Sequence, residues 1–152
     1  MIIGVGIDII KIAKMKSAIE RLGDAFLDRI FNKEEIKHIE KGKIYYQRLA
    51  ARFAAKEAVI KAVSKEYPFT LKDIIILNRE NGAPYCKFKK DFKIDILLSI
   101  THIEEYAVAC AVAQKSEVRG QRAKVRSQRT EDKIVKKPHA SAWGMDTTGG
   151  SL

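Results

Sequence analysis

The hydrophobic period of this chain switches twice, and the switch limits its possible folds more than any other feature. From Ile2 to Ile10 the odd positions Ile3, Val5, Ile7 and Ile9 form one apolar face of a strand. The even face carries Gly4, Gly6 and Asp8. Glycine in a strand often marks a close approach, so Asp8 is expected to face open space beside two missing side chains, on a strand that is buried as a whole. The spacing then turns helical. Met15, Ala18, Ile19 and Leu22 share a face, and Gly23 ends that helix. Phe26, Leu27 and Ile30 suggest a second short helix, and "NKEE" from Asn32 to Glu35 matches a capping box. A long helix covers about Ile44 to Ser64, with Leu49, Phe53, Ile60 and Val63 as its apolar stripe and Pro68 just past its end.

Extended segments then return at Asp73–Arg79, Tyr85–Phe88, Ile94–His102 and Tyr106–Val112. The first two flank Asn81-Gly82, a strong hairpin signal because both residues tolerate positive φ. Ile103 to Glu105 makes the last turn. A strand, then helices, then antiparallel hairpins is an α+β order.

The pattern breaks near Lys115. Residues 1–115 read as one domain, and 116–152 as a basic, mostly disordered tail with at most a short helix. With 46% hydrophobic residues the domain can bury a core. No apolar run reaches the roughly 18 residues of a membrane span. The apolar start lacks the basic region and cleavage site of a signal peptide, so a cytoplasmic location is expected. Cys86 and Cys110 match no zinc spacing and read as reduced core residues. The net charge of +10 favours anionic partners: nucleic acid, phosphorylated cofactors or an acidic protein.

Several residues could carry chemistry. Asp8 reads equally as an acid at a strand end and as a ligand facing the glycines. Glu57 shares a helix face with Ala50, Phe53, Ala54, Ile60, Lys61 and Ser64. It is either half of a Glu57–Lys61 helix pair or, with Asp8, a holder of a divalent cation. In the second case Lys56 and Lys61 lie near a phosphate, a donor set that suits magnesium. His102 ends its strand as a packed residue or as a functional one, with Ser99 and Thr101 on the opposite face. Lys11, Lys14, Lys16 and Arg21 form either a solvated face or a dock for an acidic partner. No aromatic residues interleave with them, and no helix-turn-helix, zinc-finger or RNA-binding signature is present.

Four segments in register, "GVGIDII", "RFAAKEAVIKA", "NGAPY" and "SITHIEEYAVA", resemble the holo-acyl-carrier-protein synthases, the short single-domain phosphopantetheinyl transferases. The resemblance spans about residues 1–115. It implies a 4′-phosphopantetheinyl transferase-like fold, a small antiparallel sheet packed with one long helix and shorter ones. It also implies transfer of the 4′-phosphopantetheine arm of coenzyme A to a serine hydroxyl of apo acyl carrier protein, releasing adenosine 3′,5′-bisphosphate, in fatty acid biosynthesis. On this reading Asp8 and Glu57 are ligands of Mg2+, and Lys61 stabilises charge on the pyrophosphate. The base is Glu57 or a metal-bound water held by Asp8. Arg52, Asn81, Gly82, Pro84, Ser99, Thr101 and His102 match positions around the coenzyme A nucleotide and its 3′-phosphate. Lys14 matches a carrier-protein contact, and a homotrimer with sites between subunits is expected, with neither membrane nor specific nucleic acid as partner. The chain departs from the pattern at Lys11, commonly glutamate, in the short stretch from Lys89 to Ile94, and in the tail. The rival readings are a basic RNA- or ribosome-binding module, which explains charge and tail but not the four motifs, and a pseudoenzyme, which the intact acids and lysine oppose.

Overall fold

A computed structural model of the chain describes residues 1–37, 39–63 and 67–116. The tail expected at 116–152, and with it any nucleic-acid role of that tail, lies outside the described residues except for Ser116. Strand β1 (Ile2–Lys11) leads into helix α1 (Ile12–Ile30), a short helix α2 (Lys33–Ile36) and the long helix α3 (Tyr45–Val63). A 3-10 turn (Leu71–Asp73) precedes β2 (Ile74–Asn78), β3 (Pro84–Phe88), β4 (Ile94–His102) and β5 (Tyr106–Lys115).

The antiparallel strands divide between two sheets. One has the order β1-β5-β4, and β2 pairs with β3 in the other. The last strand runs three residues past its expected end, because Ala113 and Gln114 still find partners on β1 and β4. Gly23, at φ 63° and ψ −150°, kinks α1 where the sequence shows a break between two helices. In the β2–β3 turn only Gly82 takes positive φ, at 82°. Asn81 serves differently, since its side-chain oxygen accepts from the Ala83 amide at 3.1 Å.

Alternation along β5 sets the layering. Ala107, Ala109, Ala111 and Ala113 are buried on one face, where α3 presents its own alanines, Ala54, Ala55, Ala58 and Ala62. Small residues on both sides bring helix and sheet close together. β1 completes this arrangement and corrects one expectation. The space in front of Gly4 and Gly6 is filled by α3, not open. A Cβ at Gly6 would collide with the Ala58 carbonyl oxygen and lie 2.8 Å from the Ala62 nitrogen. One at Gly4 would strike the Ala62 carbonyl. The glycines are there for backbone-to-backbone contact.

The apolar odd face of β1 is therefore the outer one. Within a single chain Val5, Ile7 and Ile9 are 58–62% exposed, so β1 is not buried as a whole. Register places Val112, Cys110 and Val108 of β5, then Leu97, Ser99 and Thr101 of β4, on the same outer face.

Leu49 and Val63 of the expected α3 stripe are buried, while Phe53 and Ile60 are half-buried. The buried alanines spread over much of the helix, so an apolar stripe understates how far α3 is enclosed. An aromatic group of Tyr67, Phe69, Phe88 and Phe92 adds stacked and edge contacts with ring centroids 4.6–5.7 Å apart.

Gly6→Ala is expected to lower stability by about 3 kcal/mol, near the top of the overpacking range, because the clashing atom is backbone. Gly42→Ala, where an added Cβ meets nothing, should stay within about 0.5 kcal/mol. Urea titration of the two variants checks this; equal midpoint shifts would refute the close-contact argument.

Candidate active site

The site begins where β1 crosses α3. With Gly4 and Gly6 pressed on the helix, the next residue on that strand face, Asp8, meets the last turns of α3. Its carboxylate accepts a hydrogen bond from Lys61 Nζ at 2.8 Å, and the same ammonium donates to the Ile7 carbonyl at 3.0 Å. Glu57 lies four residues before Lys61 on the helix. Burial raises the Glu57 carboxyl above its ordinary value, the Asp8 charge raises it further, and Lys61 pulls it back. Lys61 is thus shared by two acids and is ion-paired with Asp8, so it is more than the far half of a Glu57 helix pair.

Two carboxylates that repel each other across one lysine leave negative charge uncompensated, which favours a cation. Among the described residues no group of three or more His, Cys, Asp or Glu forms a ligand cage. The donor set fits magnesium, which takes one or two carboxylates and completes its shell with water and phosphate. Asp8 and Glu57 are the residues that would hold it.

Lys56 belongs elsewhere. The sequence put it beside Lys61 near a phosphate, but the structure buries it completely on another side of α3. Its Nζ lies 2.7–2.9 Å from the carbonyls of Ile30, Leu71 and Ile74 and from Glu35 Oε2. Burial lowers the Lys56 ammonium and the Glu35 charge opposes that. Glu35 closes the capping box through the Asn32 amide at 2.7 Å and also accepts from the Ile76 amide at 3.0 Å. A helix cap and an ion pair therefore share one carboxylate. The sequence showed the cap but gave no sign of the pair.

A second group of residues forms a cleft of about 440 Å³ between α3 and the β2–β3 hairpin. Arg52, Gly82, Pro84 and His102, four of the expected nucleotide residues, line it. Sequence reading missed two others, Arg48 and Asn78. Asn78 links the helix to the turn: its Oδ1 accepts from Arg52 Nη2 at 3.2 Å, and its Nδ2 donates to the Gly82 carbonyl at 2.8 Å. The spacing of Arg48 and Arg52, one helical turn apart, was the signal that could have revealed Arg48. Asn81 is turned into its own loop, away from this lining. Ser99 and Thr101 emerge on the outer face of the sheet, beside Cys110 and Val108.

These residues fall into separate groups. Asp8 is on β1 and His102 on β4, with β5 between them. Asp8 stands opposite Ala109, and Ala109 opposite Ile100 of the cleft, so corner and cleft are two strands apart. Lys14 lies apart from both, exposed on α1 beside Ser17, Ala18 and Arg21. Cys86 is free, and burial pushes its thiol up to about 12, which keeps it protonated.

The chain belongs to the 4′-phosphopantetheinyl transferase superfamily, whose sequence model matches residues 4–111. Within that superfamily it is similar to holo-[acyl-carrier-protein] synthases. The protein of that name from Thermodesulfovibrio yellowstonii is 42% identical over 112 residues, which are 74% of this chain and 98% of the relative. The one from Caldicellulosiruptor saccharolyticus is 41% identical, over 77% of this chain and 100% of the relative. Among solved structures, a holo-(acyl-carrier-protein) synthase from Bacillus anthracis in complex with CoA (3′,5′-ADP) has a TM-score of 0.65 at 36% identity, covering 77% of this chain and 99% of that one. The Helicobacter pylori synthase in complex with coenzyme A has the same score at 29% identity, covering 72% and 99%. The resemblance read from four motifs is borne out, as are the α+β fold and the transferase class.

A raised carboxyl favours the folded state while it is neutral. Its contribution is lost as pH rises from the ordinary carboxylate value through the raised one. Glu57→Gln has no such loss, so its thermal midpoint should exceed that of the unaltered chain at pH 7, with the gap closing near pH 4. Added magnesium should raise the midpoint of the unaltered chain more than that of the variant. Scanning calorimetry at both pH values checks this; a gap independent of pH would show that Glu57 is not held in a strained charge state.

Proposed function

We propose that this chain moves the 4′-phosphopantetheine group of coenzyme A onto a serine hydroxyl of apo acyl carrier protein, releasing adenosine 3′,5′-bisphosphate, in a magnesium-dependent step of fatty acid biosynthesis. The observation that carries the reading is the Asp8–Lys61 pair with Glu57 beside it, in a chain at least 41% identical to two named synthases over nearly their whole length. Phosphoryl transfer asks a protein mainly for positioning and charge neutralisation. Magnesium, when bound by Asp8 and Glu57, supplies Lewis acidity at the pyrophosphate.

The residues themselves do the rest. Lys61 offsets charge that develops on the pyrophosphate as the serine oxygen–phosphorus bond forms and the bond to the leaving phosphate breaks. Glu57, whose carboxyl is raised by burial and by the Asp8 charge, or a water held by Asp8 takes the serine proton. Arg52, Gly82, Pro84 and His102 hold the nucleotide in their cleft, with Asn81 shaping its turn. Lys14 meets an acidic carrier protein on α1. No helix among the described residues is long and apolar enough to cross a membrane. The free thiols of Cys86 and Cys110 suit a reducing cytoplasm.

The reading includes a homotrimer. An apolar sheet face with Val5, Ile7, Ile9 and Leu97 each more than half exposed is what a subunit contact covers. The division of site residues across β5 supports an arrangement in which the corner of one chain and the cleft of the next complete a site, with Ser99 and Thr101 on the shared face.

Incubation of apo acyl carrier protein with the chain, coenzyme A and magnesium should add one phosphopantetheine by intact mass, and chelation with EDTA should prevent it. Glu57→Gln should abolish the gain while staying folded, and Lys14→Glu should raise KM for carrier protein more than for coenzyme A. No gain from folded protein with several carrier proteins would refute the assignment. Analytical ultracentrifugation should show three chains per particle, and a monomer at micromolar concentration would remove the shared-site arrangement.

A further inference from the structure

Strands β2 and β3 form a sheet of their own, and among the described residues no ladder joins it to the β1-β5-β4 sheet. Yet Ile76, Asn78, Gly82 and Pro84 of this hairpin make one wall of the cleft whose other wall is α3. Other contacts must set the distance between the two. Ile74 and Ile76 bury their side chains in one cluster with the α3 alanines. Apolar burial is non-directional, so it holds the hairpin down without fixing its place along the helix. Directional contact falls to the backbone edge of β2. Asp73 and Arg79 form backbone bonds with Lys89 and Ala83 across the hairpin. The alternation of an antiparallel ladder then turns the Ile74 carbonyl and the Ile76 amide away from β3.

Three buried polar side chains with no part in the proposed chemistry meet that edge. Asn32, Glu35 and Lys56 are 9%, 1% and 0% exposed. The Ile76 amide donates to Glu35 Oε1 at 3.0 Å. The Ile74 carbonyl accepts from Lys56 Nζ at 2.8 Å and from Asn32 Nδ2 at 3.3 Å. Lys56 Nζ and Glu35 Oε2 close the set at 2.7 Å. The three side chains stand where a neighbouring strand would, and they tie β2 to α3 through Lys56 and to α2 through Glu35. Two residues past Ile76, Asn78 bonds both Arg52 and Gly82. None of the three lines the cleft itself. We propose that Glu35 and Lys56, with Asn32, are positioning residues that bond the free edge of β2 as a strand would and so set the separation of the two cleft walls. Their loss acts on nucleotide binding and not on transfer at the carboxylate corner, which α3 shares with β1. Use of the cleft for coenzyme A rests on the function proposed above; the docking of the hairpin does not.

The test exchanges the pair for apolar residues, Glu35→Leu together with Lys56→Met, in the full chain. Removing both charges at once leaves no lone buried ion, and such exchanges are often neutral for stability. Amide hydrogen exchange of the ligand-free protein should quicken about ten-fold in β2 and β3 and by less than about two-fold in β1, β5 and β4, the scale of one lost hydrogen bond to a charged group. In steady-state transfer to apo carrier protein, KM for coenzyme A should rise about ten-fold while kcat changes by less than about two-fold. A pair that only adds stability would leave KM unmoved in a folded variant. Unchanged hairpin protection, equal loss of protection in both sheets, or an unmoved KM would each overturn the proposal. If the double variant does not fold, Glu35→Gln, which keeps one oxygen where Glu35 uses two, is read in the same way. If the unaltered chain transfers from coenzyme A to no carrier protein, the functional reading has failed, and the exchange pattern alone decides whether these residues dock the hairpin.

Discussion

One buried ammonium holds this fold in register. Lys56 Nζ reaches the end of α1 through Ile30, α2 through Glu35, the 3-10 turn through Leu71 and the start of β2 through Ile74. Two stretches far apart in sequence, 30–35 and 71–74, are tied to one point on α3. A charge taken this far from water is expensive, and it is tolerated because every N–H has an acceptor and the carboxylate opposite is itself fully bonded. Losing either partner would leave the other charged and alone in the core. The pair thus fixes the start of β2 against α3 through the Ile74 carbonyl. The hairpin carries Asn78 and Gly82, which orient Arg52 across the cleft.

Much of the fold was legible. Strand periodicity located β1 and β4 closely, the glycine break in α1 was visible, and Asn81-Gly82 marked the hairpin. The long helix was also clear, because alanine, leucine and lysine all favour it. Burial was harder to read. A lysine in an alanine-rich helix looks solvent-facing from sequence, and Lys56 is the most enclosed charge described. Its partner Glu35 lies 21 residues away, beyond any helical spacing, and its capping role concealed the second one.

The site was legible in part. Asp8 and Lys61 come together as the motifs suggested, and Arg52, Gly82, Pro84 and His102 share a cleft. Alternation along β1 identified two faces correctly but could not say which would meet the helix. Apolar residues normally mark the inside, yet here the glycines do, because a backbone contact needs no side chain. Strand alternation put Ser99 and Thr101 on the face opposite His102, as the register has them, although one motif holds all three. Arg48 and Asn78 escaped notice because neither lies inside a motif word.

The contact between β1 and α3 is made of peptide atoms, with Gly4 and Gly6 against the Ala58 and Ala62 carbonyls. Its spacing is set by covalent geometry and hydrogen-bonded secondary structure, not by the volumes of interlocking side chains. The reach from Asp8 to Lys61 inherits that spacing. The carboxylate corner thus takes its dimensions from main-chain contact, so side-chain substitutions elsewhere in α3 and β1 act on it only through the backbone.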